Sequence, residues 1–131
     1  MSYYFSKVLG VSFQEAIDRV TEELKKEGFG ILTEIDVKAT MKKKLDVDLL
    51  NYIILGACNP PFAYEALQKE NKIGLMLPCN VIVQELPDGN MEVAAVDPVA
   101  SMKGIENSNL EEVANQVQQK LKNVIDNLTM P

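Results

Sequence analysis

"YIILGACNPPFAYEAL", residues 52–67, sets the frame for the whole chain. Its opening, Tyr52 to Cys58, is apolar on both faces, which fits an interior strand with a neighbour on each side. Cysteine, asparagine and two prolines follow, and the pattern then turns helical from Pro60 to Glu70. Asn59 is a favoured N-cap residue. Pro60 suits the first helical position, where its missing N–H costs nothing, and it pushes Asn59 toward extended backbone. The junction therefore reads as a strand end and a helix start in immediate succession. Cys58 stands just before it, either as a small buried apolar residue or as a thiol facing the positive end of the helix dipole, which would lower its pKa. An anion cradle at the same place would be poor, because Pro60 and Pro61 remove two donors.

Working outward, "YYFSKVLG" (3–10) reads as a first strand. Ser12 and Glu15 have the spacing of a capping box. Phe13, Ala16, Ile17, Val20 and Leu24 then mark one buried helical face, and Gly28 closes the helix. "FGILTEIDV" (29–37) alternates, with Phe29, Ile31, Ile35 and Val37 on one side of a half-buried strand. "KATMKKKLDVDLLN" (38–51) reads as a loop with at most one helical turn. "CNVIVQEL" (79–86) is a strand with Cys79, Val81 and Val83 on one face. Leu86-Pro87-Asp88-Gly89 has the chemistry of a turn, and "MEVAAV" (91–96) returns as the hairpin partner. Ser108 with Glu111, or Asn109 with Glu112, offers a cap to a helix of about 19 residues, about 28 Å long, running to Leu128. The order β-α-β-β-(α)-β-β-α predicts a single α+β domain over residues 1–131: a largely antiparallel sheet of about five strands with helices on one face.

The chain has 131 residues, 47% of them hydrophobic and 24% charged, enough for one well-formed core. Its net charge of −6 argues against nucleic acid or an anionic membrane as a partner. No run reaches the ~18 apolar residues of a membrane span. The first residues lack the pattern of a secretory signal, so a cytoplasmic location is expected. There is no histidine. Ser-His-Asp and Cys-His activation and every imidazole metal site are thereby excluded. Acid–base chemistry would fall to a shifted carboxylate, lysine, tyrosine or cysteine.

Taken in order, GACNP (56–60), the alanine-containing helix, LPC (77–79) before a valine-rich strand, and DP (97–98) after the hairpin resemble the pattern of the domain of unknown function 302 family. These motifs span about residues 34–98. The resemblance implies a TATA-binding-protein-like arrangement, β-α-β(4)-α, with the helix at 60–70 as an insertion between strands. It implies no activity and no catalytic residue.

Cys58, Asn59, Cys79 and Asp97 are the candidate site residues. If the strands holding Cys58 and Cys79 are neighbours, the thiols would approach each other and serve a soft metal or a reversible disulfide. Two sulfurs are too few for a closed zinc site, so neither metal nor cofactor is assigned. Asp36 and Asp97 fall near strand ends and would do acid–base work only if they converged; a turn role is the simpler account. Lys38, Lys42, Lys43 and Lys44 read as a solvated loop, Tyr3, Tyr4, Tyr52 and Tyr64 as core with one wet edge, and Met76 and Met102 as core fillers. The expected role is a small binding or interaction module, with a small-molecule ligand near the Cys58-Asn59-Pro60 junction. The alternative is a thiol-dependent redox protein or enzyme using Cys58 with Cys79. An apolar long helix and an open sheet edge predict a homodimer.

Overall fold

The computed structural model describes residues 2–128. Its strands are β1 (Tyr4–Leu9), β2 (Gly30–Asp36), β3 (Tyr52–Cys58), β4 (Cys79–Glu85) and β5 (Met91–Val96). The helices are α1 (Phe13–Lys26), α2 (Val37–Leu45), α3 (Pro60–Lys69), α4 (Pro98–Ser101) and α5 (Glu111–Asp126). The strands form one sheet in the order β1-β5-β4-β3-β2, antiparallel at every junction. The expected α+β class, strand number and orientation all hold.

Alternation along the strands decides which face is buried. Ile53, Leu55 and Ala57 of β3, Cys79, Val81 and Val83 of β4, and Met91, Val93 and Ala95 of β5 are buried on one side. They share a core with Ala16, Val20 and Leu24 of α1 and Val113, Val117, Leu121, Val124 and Ile125 of α5. Both long helices therefore cover the same face.

The ends of α1 follow local chemistry. The Ser12 hydroxyl accepts the Glu15 N–H at 3.1 Å. At the other end Gly28 takes φ +87°, its N–H reaches Lys25 O, and the Phe29 N–H reaches Leu24 O. That is a Schellman motif, with buried Phe29 and Leu24 completing it. The C-terminal carbonyls of Asp126 and Leu128 are met differently, by Lys7 Nζ of β1 at 2.9 Å each. The turn after β4 is as expected: the Gly89 N–H bonds Leu86 O, and Gly89 has φ +88°.

Three expectations need correction. Residues 38–51 hold most of a nine-residue helix, α2 (Val37–Leu45), and not a loop with one turn. Asp36 caps it by accepting the Ala39 N–H at 2.9 Å, and Asp46 ends it with φ 54°. No residue of α2 is buried, so it has no apolar stripe to reveal it in the sequence. Second, β2 does not keep one alternating face. A register shift between Ile31 and Thr33 turns Ile31 toward Ala57 on the core side but sets Ile35 beside Ile54 on the other. Ile35 is accordingly 48% exposed. Third, neither Ser108 nor Asn109 caps α5. Asn107 caps the 3-10 turn Ser108–Leu110 through the Asn109 N–H, and the 16-residue helix starts at Glu111.

Candidate functional site: an apolar cavity at the strand-to-helix junction

The register of β3 on β4 sets Ala57 opposite Cys79, so the end of one strand and the start of the other meet at the same level. Gly56 makes this closeness practicable. A Cβ there would collide with Thr33 Oγ1 on one side and lie 2.8 Å from the Pro78 ring on the other. Pro78 follows a cis peptide bond and leads directly into Cys79.

Asn59 occupies the N-cap position of α3, yet its side chain makes no cap bond. The second helical position, Pro61, has no N–H to offer it. Asn59 Nδ2 instead donates to the Glu27 carbonyl at 3.0 Å, tying the end of α1 to the start of α3. Lys120 of α5 closes the same corner. Its Nζ lies 5.8 Å from the Phe62 ring centroid, within cation–π range, and 3.9 Å from Glu27 Oε1.

Behind this corner is a cavity of about 300 Å³. Ala57, Cys58 and Asn59 form its floor, Phe62, Ala63, Ala66 and Leu67 of α3 one wall, and Val113, Ala114 and Val117 of α5 another. Leu77, Pro78, Cys79, Phe29, Leu32 and Met102 complete it. Asn59 is the one polar residue in this lining, and its amide already has a partner. A space lined this way takes apolar groups and offers almost nothing to orient a charge.

Three of the four candidate residues, Cys58, Asn59 and Cys79, thus line one cavity, and Asp97 does not. Asp97 caps α4 through the Val99 N–H at 2.9 Å and accepts Gln118 Nε2 of α5 at 3.0 and 3.1 Å. Asp36 caps α2 at the far edge strand β2, with two strands between it and β5. The two carboxylates are not brought together. Both cysteines are free, on adjacent strands. Burial pushes the Cys79 thiol up to about 11, with a further push from Cys58. Cys79 is therefore a neutral thiol at pH 7. No group of three or more His, Cys, Asp or Glu is placed to hold a metal among the described residues. No helix among them is long and apolar enough to cross a membrane.

The remaining expectations fall outside the cavity, with one exception. Lys42 pairs with Asp46 at 2.8 Å and Asp48 at 3.4 Å on the surface of α2. Tyr3, Tyr4 and Tyr64 are 68%, 41% and 67% exposed, so they are not core residues, and Met76 is 43% exposed. Met102, by contrast, is partly buried and lines the cavity. The α5 wall was not anticipated. Its residues were legible as a buried stripe, but nothing in the spacing says that the stripe stops short of α3.

The family model described as "Domain of unknown function DUF302" matches residues 5–128. The chain belongs to this family. The structure of an uncharacterized conserved DUF302 protein from Bacillus stearothermophilus is similar, with a TM-score of 0.89 and 26% identity, covering 96% of this chain and 98% of that one. No curated protein matches the chain significantly. Within a DUF302 domain, the GACNP motif has a physical account here. Glycine clears Thr33 and Pro78, alanine stays small above the cavity, and asparagine joins two helix ends.

Proposed function

We propose that this DUF302 domain is a small-molecule binding module whose ligand is apolar and sits in the cavity at the Cys58-Asn59-Pro60 junction. The observation that carries this reading is the lining, apolar on every side, around a volume at the lower end of the range for ligand sites. The chemistry around it supports binding over turnover. There is no histidine, Cys79 holds its proton, and the Asp97 carboxylate is occupied by α4 and Gln118. The test is titration with 1-hexanol followed by amide chemical shifts. Shifts are expected to cluster at Ala57, Phe62 and Val117, and Ala66→Leu is expected to abolish them while the protein stays folded. Scattered shifts, or shifts that survive Ala66→Leu, would sink the reading.

A second reading is favoured by one observation: both free thiols line the same cavity. In it, a small disulfide oxidises Cys58 and Cys79 to a protein disulfide, taking two electrons and two protons and leaving as two thiols. Half-maximal alkylation of Cys58 near or below pH 7 in the folded protein supports this role. Thiols inert until alkaline pH remove it.

A homodimer, for its part, would use a surface that the helices leave free. The apolar stripe of α5 is spent on its own sheet, which leaves the opposite sheet face. A row there runs Ile35, Ile54, Ile82, Ala94, Ser6 across all five strands. A two-fold axis through Ile82 would set Ile54 of one copy against Ala94 of the other, large against small. A monomeric mass by light scattering at micromolar concentration removes the dimer.

A further inference from the structure

Resting on the apolar-ligand reading above, we infer that the ligand is a single-chain amphiphile with an uncharged, hydrogen-bonding head, and that Met102 is the partition it passes. Three cavities meet at this residue. One is the apolar space already described; a second, of about 510 Å³, lies between the segment after α4 and the first turns of α5; a third, of about 240 Å³, lies beside Leu75–Asn80. Met102 is in the wall of all three. Between the first and second, the shared residues are Met102 and Ala114 alone, one thioether and one methyl. Methionine is unbranched and changes rotamer at small cost, so the neck opens without moving the backbone.

The two neighbouring spaces differ in character. The first is dry. The second presents Lys103, Glu106, Asn107, Ser108, Glu111 and Asn115, and Lys103, Glu106, Ser108, Glu111 and Asn115 are exposed to water. An elongated molecule with its tail in the first and its head in the second meets a matched environment at each end. A passage opened by turning one methionine side chain beside an alanine would suit a linear chain better than a fused ring. The sign of the second cavity selects the head. One ammonium faces two carboxylates, within a chain of net charge −6, so an anionic head gains nothing there. Amide and hydroxyl groups suit an alcohol or amide head best.

The test compares 1-hexanol, 1-decanol and decanoate on the full chain by amide chemical shifts and calorimetry. 1-Hexanol is expected to perturb only the first cavity, at Ala57 and Phe62. 1-Decanol is expected to reach Lys103, Asn107 and Asn115 as well, and to bind at least about tenfold more tightly than either 1-hexanol or decanoate. Met102→Ile, whose β-branched side chain stiffens the partition, should weaken 1-decanol about tenfold and weaken 1-hexanol, whose cavity Met102 also lines, by less. Decanol shifts confined to the first cavity, or equal weakening of both alcohols, overturn the partition. Tighter binding of decanoate overturns the head group. Failure of 1-hexanol as well as 1-decanol to bind removes the apolar-ligand reading itself, which the other outcomes leave standing. The shift pattern of the unaltered protein decides the partition even if Met102→Ile does not fold.

Discussion

The two halves of the helical layer rest on the same sheet face and are packed in opposite ways. Under α1 the space is full: Ala16, Val20 and Leu24 are each completely buried. Under α3 it is hollow: only Ala66 is buried, and the helix meets β3 and α5 across a cavity of about 300 Å³. The cause lies in side-chain size. Ala57, Ala63, Ala66 and Ala114 all face that space, where α1 brings a leucine and a valine. Close packing is the rule beneath packed helices, so an apolar hollow held open by small residues from three elements is a feature to explain by use.

The sharpest way to test the contrast is to reverse it. Leu24→Ala empties the full half and is expected to cost about 2–5 kcal/mol, read from urea unfolding. Ala66→Leu fills the hollow half and is expected to be neutral, or stabilising by up to about 1 kcal/mol. A loss of about 1–3 kcal/mol for Ala66→Leu, the ordinary result of overpacking, would mean that the void has no room to give.

The same contrast separates what the sequence reveals from what it hides. On the α1 side each signal is local. Ser12, the apolar spacing from Phe13 to Leu24, and Gly28 can all be read in order, and the structure has them where expected. The strands and the Pro87-Asp88-Gly89 turn are legible for the same reason. The motifs from GACNP to DP point to the family, which the match over residues 5–128 establishes. On the α3 side the decisive facts are tertiary. Asn59 has the identity and position of a cap, and only the approach of Glu27 and the prolines after it turn its amide elsewhere. The cavity is a deficit of volume shared by residues as far apart as Leu32 and Val117, so no single stretch announces it. For α2 the cause differs again. Its capping aspartate was visible, but without a buried face the helix leaves no periodicity to find.

Cys79 sharpens the comparison through pH. It is the group at the hollow side that burial holds protonated, up to about 11 against an ordinary 9.0. Between those values the unfolded chain loses a proton that the folded chain keeps, so stability falls as pH rises through that window and is unaffected below it. The loss amounts to about 2–3 kcal/mol at most. The measurement is the unfolding free energy of the protein minus that of Cys79→Ala, followed from pH 8 to pH 11. The difference should shrink through the window. A flat difference would mean that water reaches the thiol, and with it the floor of the cavity.

The smallest effects distinguish the two helix starts. Ser12 acts as an acceptor for the Glu15 N–H, so Ser12→Ala should cost about 1 kcal/mol and Ser12→Asp should restore most of it. Asn59 sits at the corresponding position of α3 but acts as a donor, to the Glu27 carbonyl. Asn59→Ala leaves that carbonyl without its partner in a site only 8% exposed, for a cost of about 1–3 kcal/mol. Here aspartate cannot rescue. Asn59→Asp replaces the donor with an acceptor facing a carbonyl oxygen and is expected to be at least as damaging as Asn59→Ala. If Asn59→Asp instead matched the unaltered protein in urea unfolding, the residue would be working as an ordinary cap after all. The link between α1 and α3 that holds the rim of the cavity would then have to come from Lys120 alone.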